Sequence, residues 1–212
     1  MHRKLIPAFF AAALTALPLS AAFMVHAPSA SAQADQRVRV RGTIISLNGQ
    51  TLTVKTREGG TAEITLAEGW TVSGMARASI ADIKPGDFVG IASLPREGGG
   101  DGALEVLIFP PAMKGTNEGS YGWDLKPNST MTNATVAHAV KESDEHSVTL
   151  TYQGNEKKIA IPEGTPIVTF APATPADLKT GAVIFLIAEK GAGGTMTARR
   201  VTVETKGVVP PM

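Results

Sequence analysis

The stretch that decides the fold of this chain occurs twice, as Asp82-Ile83-Lys84-Pro85-Gly86-Asp87-Phe88-Val89 and, 95 residues later, as Asp177-Leu178-Lys179-Thr180-Gly181-Ala182-Val183-Ile184. The segments before it recur at nearly the same spacing. Thr51–Val54 matches Ser147–Leu150, and Glu63–Leu66 matches Lys158–Ile161. A period this long indicates a duplicated small domain, because solenoid repeats are about 20–50 residues long. The sequence therefore predicts two copies of one domain, at residues 37–109 and 133–204.

The residues around this stretch have the patterns of β-strands. Arg37-Val38-Arg39-Val40-Arg41 alternates charged and β-branched residues, as a half-buried strand does. Asn48-Gly49 predicts a type I′ hairpin turn. Short helical turns are expected at Ser79–Ile83 and Thr174–Leu178. Each copy then has five strands, which predicts an all-β protein of two tandem, small OB-like barrels. A two-sheet sandwich built from the same strands remains an alternative.

Four short motifs of the first copy point to a known class of domains. They are Val40-Arg41-Gly42, the Thr51–Val54 strand, the D-[IL]-K-x-G turn at 82–86 and the closing strand that ends at Phe109. With these motifs, each copy resembles the small OB-like β-barrel repeats of unknown function found in exported bacterial proteins. The resemblance implies the barrel fold and no particular activity. The second copy departs from it at Thr180 and Ala182, and at Ala134-Thr135-Val136, which we align with the opening motif.

The N-terminal residues 1–32 have the three parts of a secretory signal peptide. A basic start at His2-Arg3-Lys4 precedes the apolar stretch Leu5–Val25 and the cleavage-like Ala30-Ser31-Ala32. The alternative is an uncleaved membrane anchor, because the apolar stretch approaches the length that spans a bilayer. We predict cleavage, export to the periplasm or outside a bacterium, and no stable membrane span afterwards.

Composition excludes several classes of function. Loss of Arg3 and Lys4 leaves 18 of the 20 basic residues against 19 acidic ones, a net charge of about −1. Nucleic-acid binding calls for a clustered basic face, which this balance does not indicate. The chain has no cysteine, so neither disulfides nor thiol chemistry is available to it.

No catalytic or cofactor motif accompanies the repeat. The sequence lacks the G-x-S-x-G nucleophile elbow and the phosphate loop, and we predict neither an enzyme nor a cofactor. His138 and His146 are the histidines outside the predicted signal peptide, and His146 follows the charged run 141–145. Zinc or copper binding by these histidines and nearby carboxylates is the alternative function. Their spacing lacks a metal-ligand motif, so the prediction assigns no metal residue.

The connector between the copies, residues 110–132, is the least repetitive part of the chain. Long connections without secondary structure are uncommon and are often functional. Disordered linkers are poor in aromatic residues, so Tyr121 and Trp123 predict an ordered connector. We expect Trp123 to lie in a groove between the barrels, either filling the interface or joining Tyr121, Glu118 and Asp124 in a binding site. The leading hypothesis is a non-catalytic binding or accessory module of the cell envelope, whose partner is an envelope protein or ligand. Residues 205–212 are read as a C-terminal tail.

Overall fold

The computed structural model of the protein describes residues 37–141 and 146–210. The predicted signal peptide and residues 142–145 of the charged run lie outside the described residues. Those that are described fold as an all-β unit of twelve strands, with four 3-10 turns and no α-helix. None of their helical segments has the length and apolar character needed to cross a membrane.

The strands follow the chain in three groups. The first repeat supplies β1 (Arg37–Asn48), β2 (Thr51–Thr56), β3 (Thr61–Arg77), β4 (Phe88–Pro95) and β5 (Asp101–Ile108). The connector supplies β6 (Gly119–Gly122). The second repeat supplies β7 (Thr130–Lys141), β8 (His146–Tyr152), β9 (Asn155–Ile161), β10 (Ile167–Pro172), β11 (Val183–Lys190) and β12 (Met196–Val203). The 3-10 turns are Ile80–Asp82, Pro111–Met113, Pro175–Asp177 and Ala192–Gly194.

The predicted β1–β2 hairpin and the short helical turns are confirmed, but the type I′ turn with Asn48-Gly49 at its centre is wrong. Asn48 still pairs with Thr51, so the central residues of the turn are Gly49 and Gln50, and Asn48 does not have the positive φ that a type I′ turn requires. Gly49 has φ of +59° at the tip of the β1–β2 hairpin, a conformation that glycine adopts without steric cost. The short helical turns expected before the repeated stretch are the 3-10 turns at Ile80–Asp82 and Pro175–Asp177. The third strand extends well beyond the recurring segment Glu63–Leu66, because β3 continues to Arg77.

The prediction that each repeat closes its own barrel is wrong, because the repeats exchange strands. The first barrel is closed by β1, β2 and β3 of the first repeat together with β11 and β12 of the second. The second barrel, a ring of five strands, combines β4 and β5 with β7, β8 and β9. It closes through a short parallel pairing of Asp101 and Gly102 in β5 with Ile159 and Ala160 in β9. Each ring has its own cluster of buried apolar side chains.

The exchanged barrels are related by an approximate two-fold axis. It passes between β3 and β10, where Met75 pairs with Phe170, its own equivalent 95 positions later. The second half of β3 and the whole of β10 therefore form an antiparallel bridge between the two barrels. On the other side of β10, Ile167 pairs with Val106 of β5, so the bridge is continuous with the second ring.

The repeated D-[IL]-K-x-G turn docks each repeat onto the other. The N–H and hydroxyl of Ser79 both donate to Asp82, and these hydrogen bonds lower the pKa of that carboxyl. Thr174 and Asp177 repeat this arrangement. The N–H of Gly86 then donates to Val136 O in β7 (2.8 Å), and the N–H of Gly181 donates to Ile44 O in β1 (2.9 Å). The motif on which the predicted duplication rests thus also contributes a contact between the two halves of the chain.

The bulges in β1 and β7 correct the alignment of the opening motif. The register of the β1–β2 pair shifts at Ile45, and that of the β7–β8 pair shifts at Ala137. Positions in β1 and β7 therefore correspond at a spacing of 92 rather than 95 residues. Arg41 corresponds to Asn133, and Gly42 to Ala134, so the alignment with Ala134-Thr135-Val136 is wrong. The reason is that this hairpin connection differs in length between the repeats.

We expect Gly181→Ala to lower the free energy of unfolding by about 1–2 kcal/mol, the cost of a left-handed conformation for a residue with a Cβ. Gly181 has φ of +89°, although no atom would touch an added Cβ. Urea denaturation measures the loss. Gly60→Ala is the control, because Gly60 has no positive φ and its Cβ would meet only ordinary contacts. Equal stability of the two variants would contradict the prediction.

Candidate functional site

A groove of about 780 Å³ runs between the two barrels and is bounded at one end by the connector. Its volume lies within the range of small-molecule sites, about 300–1,000 Å³. Two chemically different sides enclose it. The cationic wall, on the first barrel, consists of Arg37, Arg39, Ile187, Arg199 and Arg200. The apolar wall consists of Leu107, Phe109, Met113, Met131 and Phe170.

The cationic wall is built by the alternation of β1 and by a bulge in β12. Arg37 and Arg39 lie on the outer face of β1, directly opposite Glu189 and Ile187 of β11. In β12 the register with β11 shifts between Thr197 and Thr202, where β12 has one residue more than β11, and both Arg199 and Arg200 are exposed. A regular strand would turn one of two neighbouring side chains inward, so the bulge brings both arginines to the groove.

The apolar wall is formed by aromatic, thioether and leucine side chains on the second barrel, the connector and the bridge. The rings of Phe109 and Phe170 lie 6.0 Å apart, and the ring of Phe88 packs 5.4 Å behind Phe109. Gly90 of β4 makes room for this packing. A Cβ there would come within 2.8 Å of Asn133 Oδ1 and 3.1 Å of Phe109 Cε2. The missing side chain therefore leaves Phe109 at the groove.

The two walls are formed by matching positions of the two repeats, but the residues at these positions differ in chemical type. The pairs related by the two-fold axis are Arg39 and Met131, Arg200 and Glu105, Thr202 and Leu107, and Phe185 and Gly90. A symmetric groove would carry the same chemistry at both members of each pair. Here one wall is cationic and the other is largely apolar, so the two sides of the groove would contact different parts of a ligand.

The connector places Trp123 at one end of the groove, stacked against arginine. The Arg39 guanidinium lies 4.1 Å from the Trp123 ring centre, within the distance of a cation–π interaction. Phe185 of β11 packs 6.5 Å from the same ring, and Tyr121 meets it edge-on at 6.3 Å. The backbone of Trp123 is fixed by Ser129, whose carbonyl accepts its N–H (2.8 Å). The indole is therefore held by both the first barrel and the connector.

Asp124 clamps the connector onto the first barrel. Arg41 is 2% exposed, and its two terminal nitrogens donate to the Asp124 carboxylate at 3.0 and 2.8 Å. Arg57 adds a hydrogen bond to the Asp124 carbonyl (3.0 Å), and Arg39 Nη1 lies 3.9 Å from a carboxylate oxygen. Paired guanidinium–carboxylate bonds fix geometry as well as charge. This contact orients the neighbouring Trp123.

Ionisation of two groups reflects these surroundings. Partial burial by itself would raise the pKa of Asp124, but the hydrogen bonds and charge of Arg41, with the charge of Arg39, hold that pKa below its usual value. Burial raises the pKa of Tyr121, opposed by the charge of Arg39. Tyr121 Oη accepts a hydrogen bond from Asn133 Nδ2 (3.1 Å), which ties the connector to β7.

We expect the stabilisation from Asp124 to disappear in acid. Its pKa is lower in the folded than in the unfolded protein, so the stabilisation is complete above the unfolded pKa of about 3.9 and is lost as the pH falls through the folded value. The difference in unfolding free energy between the wild type and Asp124→Asn should then shrink below about pH 4. Urea denaturation from pH 3 to 7 measures it. A constant difference across that range would contradict this assignment.

The structure brings together three of the four residues predicted for a binding site. Tyr121 and Trp123 line the groove, and Asp124 lies directly beside them. Glu118 does not join them. Its carboxylate accepts the N–H of Gln153 (3.0 Å), and its carbonyl accepts the side-chain amide of the same residue (3.0 Å). Glu118 thus ties the connector to the β8–β9 turn.

The histidines of the metal hypothesis are separated along the β7–β8 hairpin. His138 pairs with Thr149, whereas His146 pairs with Lys141. Three strand positions separate these pairs, about 10 Å at the usual rise per residue. Across 37–141 and 146–210 no three His, Asp or Glu side chains gather closely enough to hold a metal ion. The acidic residues of the charged run lie outside those ranges.

Sequence reasoning missed the arginines of the groove. The alternation in 37–41 contained a signal, since it placed Arg37, Arg39 and Arg41 on one strand face. That strand face forms part of a groove only because β11 and β12 of the other repeat lie beside β1.

Searches against protein-family profiles, curated proteins and solved structures find no match to the chain. The resemblance to exported OB-like repeats therefore remains a prediction.

Proposed function

We propose that this protein is an exported, non-catalytic binding protein of a bacterial cell envelope, and that the groove between the barrels holds its ligand. The groove carries the proposal, because it combines a suitable volume with an apolar wall and a few charged groups, as small-molecule sites do. Export is supported by the basic, apolar and A-x-A segments of residues 1–32. The paired barrels then descend from one duplicated domain.

The frame of the groove is suited to binding. Strands of both barrels line it, and the connector end is fixed by the Asp124–Arg41 pair. Sites on strands are held more precisely than sites on free loops. A fixed frame reduces the ordering that a ligand would otherwise impose, which favours affinity.

The test is extraction of bound small molecules from protein purified out of a bacterial envelope. We expect mass spectrometry to detect a ligand on the wild type that is lost from Ile187→Asp, which places a carboxylate in the groove. Ile45→Asp is the matched control, because Ile45 is also an exposed apolar residue (44% against 40%) but does not line the groove. Equal ligand content in the two variants would contradict a ligand at this site.

A further inference from the structure

We propose that the ligand of the groove is an anionic single-chain amphiphile, with a phosphate or carboxylate head on Arg199 and Arg200 and an acyl chain along the apolar wall. This inference rests on the proposed function and specifies its ligand. It follows from the charge of the groove, the side chains of its walls, the pairing of its strands and the residues that differ between matching positions of the two repeats.

The charge of the groove favours an anion. Among the described residues, its lining carries four arginines and two glutamates, Glu105 and Glu189. The side chains of Arg37, Arg199 and Arg200 make no hydrogen bond or ion pair with another described residue. Arg41 differs from them, because Asp124 already neutralises it. Guanidinium groups match the geometry of carboxylate and phosphate oxygens, and adjacent arginines such as Arg199 and Arg200 suit one anionic head.

The side chains of the opposite wall favour an apolar chain attached to that head. Leu107, Phe109 and Phe170 offer apolar surface, and Met113 and Met131 add flexible side chains that adapt to irregular shapes. Ile187 adds an exposed apolar side chain among the arginines, 40% exposed. A free phosphate ion would leave this wall and most of the 780 Å³ unused.

The pairing of the strands disfavours an extended peptide. Main-chain recognition of a peptide requires a free sheet edge. The strand β1 pairs with β2 and β11, β12 pairs with β11 and β3, and β5 pairs with β4 and β10. The main strands of both walls therefore have both edges occupied. Side chains must make the contacts, and those available are guanidinium and apolar groups.

The divergence of the repeats orients the ligand. Arg200 stands where the other repeat has Glu105, and Arg39 stands where it has Met131. An anionic head is attracted at the first member of each pair and gains nothing, or is repelled, at the second. The amphiphile should therefore bind in one direction.

The test uses the full-length exported protein with the substitution Trp70→Phe. The sequence has two tryptophans, so this variant retains Trp123 alone. Trp123 borders the groove, so its fluorescence reports occupancy there. The probes, kept below their micellar concentrations, are dodecyl phosphate, dodecanoate, dodecyltrimethylammonium, dodecanol and inorganic phosphate. We expect saturable binding of dodecyl phosphate and dodecanoate, at least tenfold tighter than that of the other three. Affinity should fall with added salt, as it does for an ionic contact.

The variants separate the head contact from general charge. Arg199→Gln/Arg200→Gln should weaken dodecyl phosphate binding at least tenfold, whereas Lys55→Gln, a charge loss on β2 outside the groove, should change it less than twofold. Equal binding of all dodecyl probes, or no effect of the arginine pair, would overturn the anionic class while the groove remained a binding site. Binding of inorganic phosphate alone as tightly as dodecyl phosphate would overturn the acyl part. If no probe binds and no small molecule co-purifies, the proposed function itself fails.

Discussion

Asp124→Ala is expected to lower the free energy of unfolding by about 2–3 kcal/mol. The substitution removes the carboxylate that pairs with Arg41, whose side chain is 1% exposed, and leaves a buried guanidinium without its counter-charge. Breaking a buried pair from one side costs about 3–5 kcal/mol. We expect less here because the Asp124 side chain is 46% exposed, so water screens the contact and can reach the site after the change.

Urea denaturation monitored by tryptophan fluorescence measures this loss. Glu63→Ala serves as the control for removing an exposed carboxylate from a strand of the same barrel. The double variant Arg41→Met/Asp124→Ala should be more stable than Asp124→Ala alone, because an apolar side chain of similar length needs no counter-charge. If Asp124→Ala loses no more stability than Glu63→Ala, Asp124 does not hold the connector.

Gly42→Val is expected to lower the free energy of unfolding by about 3 kcal/mol or more, at the upper end of the overpacking range. A Cβ on Gly42 would lie 2.1 Å from Lys55 O and 2.8 Å from Val54 Cγ1. The first obstacle is a backbone oxygen, so no rotamer change can relieve the clash. The β1–β2 pair has to move apart at a point where β1 also pairs with Ile184 of β11.

Circular dichroism and urea denaturation test this prediction. Gly122→Val is the matched control, since Gly122 also lies in a strand, has no positive φ, and has no atom within 4 Å of its added Cβ. A folded Gly42→Val protein as stable as the Gly122→Val control would show that the barrel tolerates a side chain at this position.

The sequence was sufficient to predict the strands but not which strands pair. Local signals fixed the hairpin at Asn48-Gly49 and the repeated turns, because each depends on a few neighbouring residues. The exchange between repeats has no such signal. Since the repeats are equivalent, β1 of one presents nearly the same edge to β11 of the other as it would to its own β4. Exchange of identical elements costs little energy, so the strand patterns alone cannot choose between the two arrangements.

The candidate site was predictable to the same limited extent. Tyr121, Trp123 and Asp124 could be selected because aromatic residues in a long connector must pack against something. The cationic wall could not be selected, because Arg39 and Arg200 come from opposite ends of the chain. Their proximity depends on the β1–β11–β12 arrangement, which follows from the exchange.

Strand exchange also sets the order in which the molecule can form during synthesis. The first barrel needs β1, which begins at Arg37, and β12, which ends at Val203, so nearly the whole chain must leave the ribosome before that barrel can close. Contacts between such distant segments make folding slow, because a long loop must be ordered before any pairing compensates for it. Meanwhile β1 and β3 present unpaired edges, which are prone to join another chain. A nascent chain that has not yet reached Val183 would therefore keep those edges unpaired. A chaperone that protects strand edges during this time would raise the yield of the folded full-length protein.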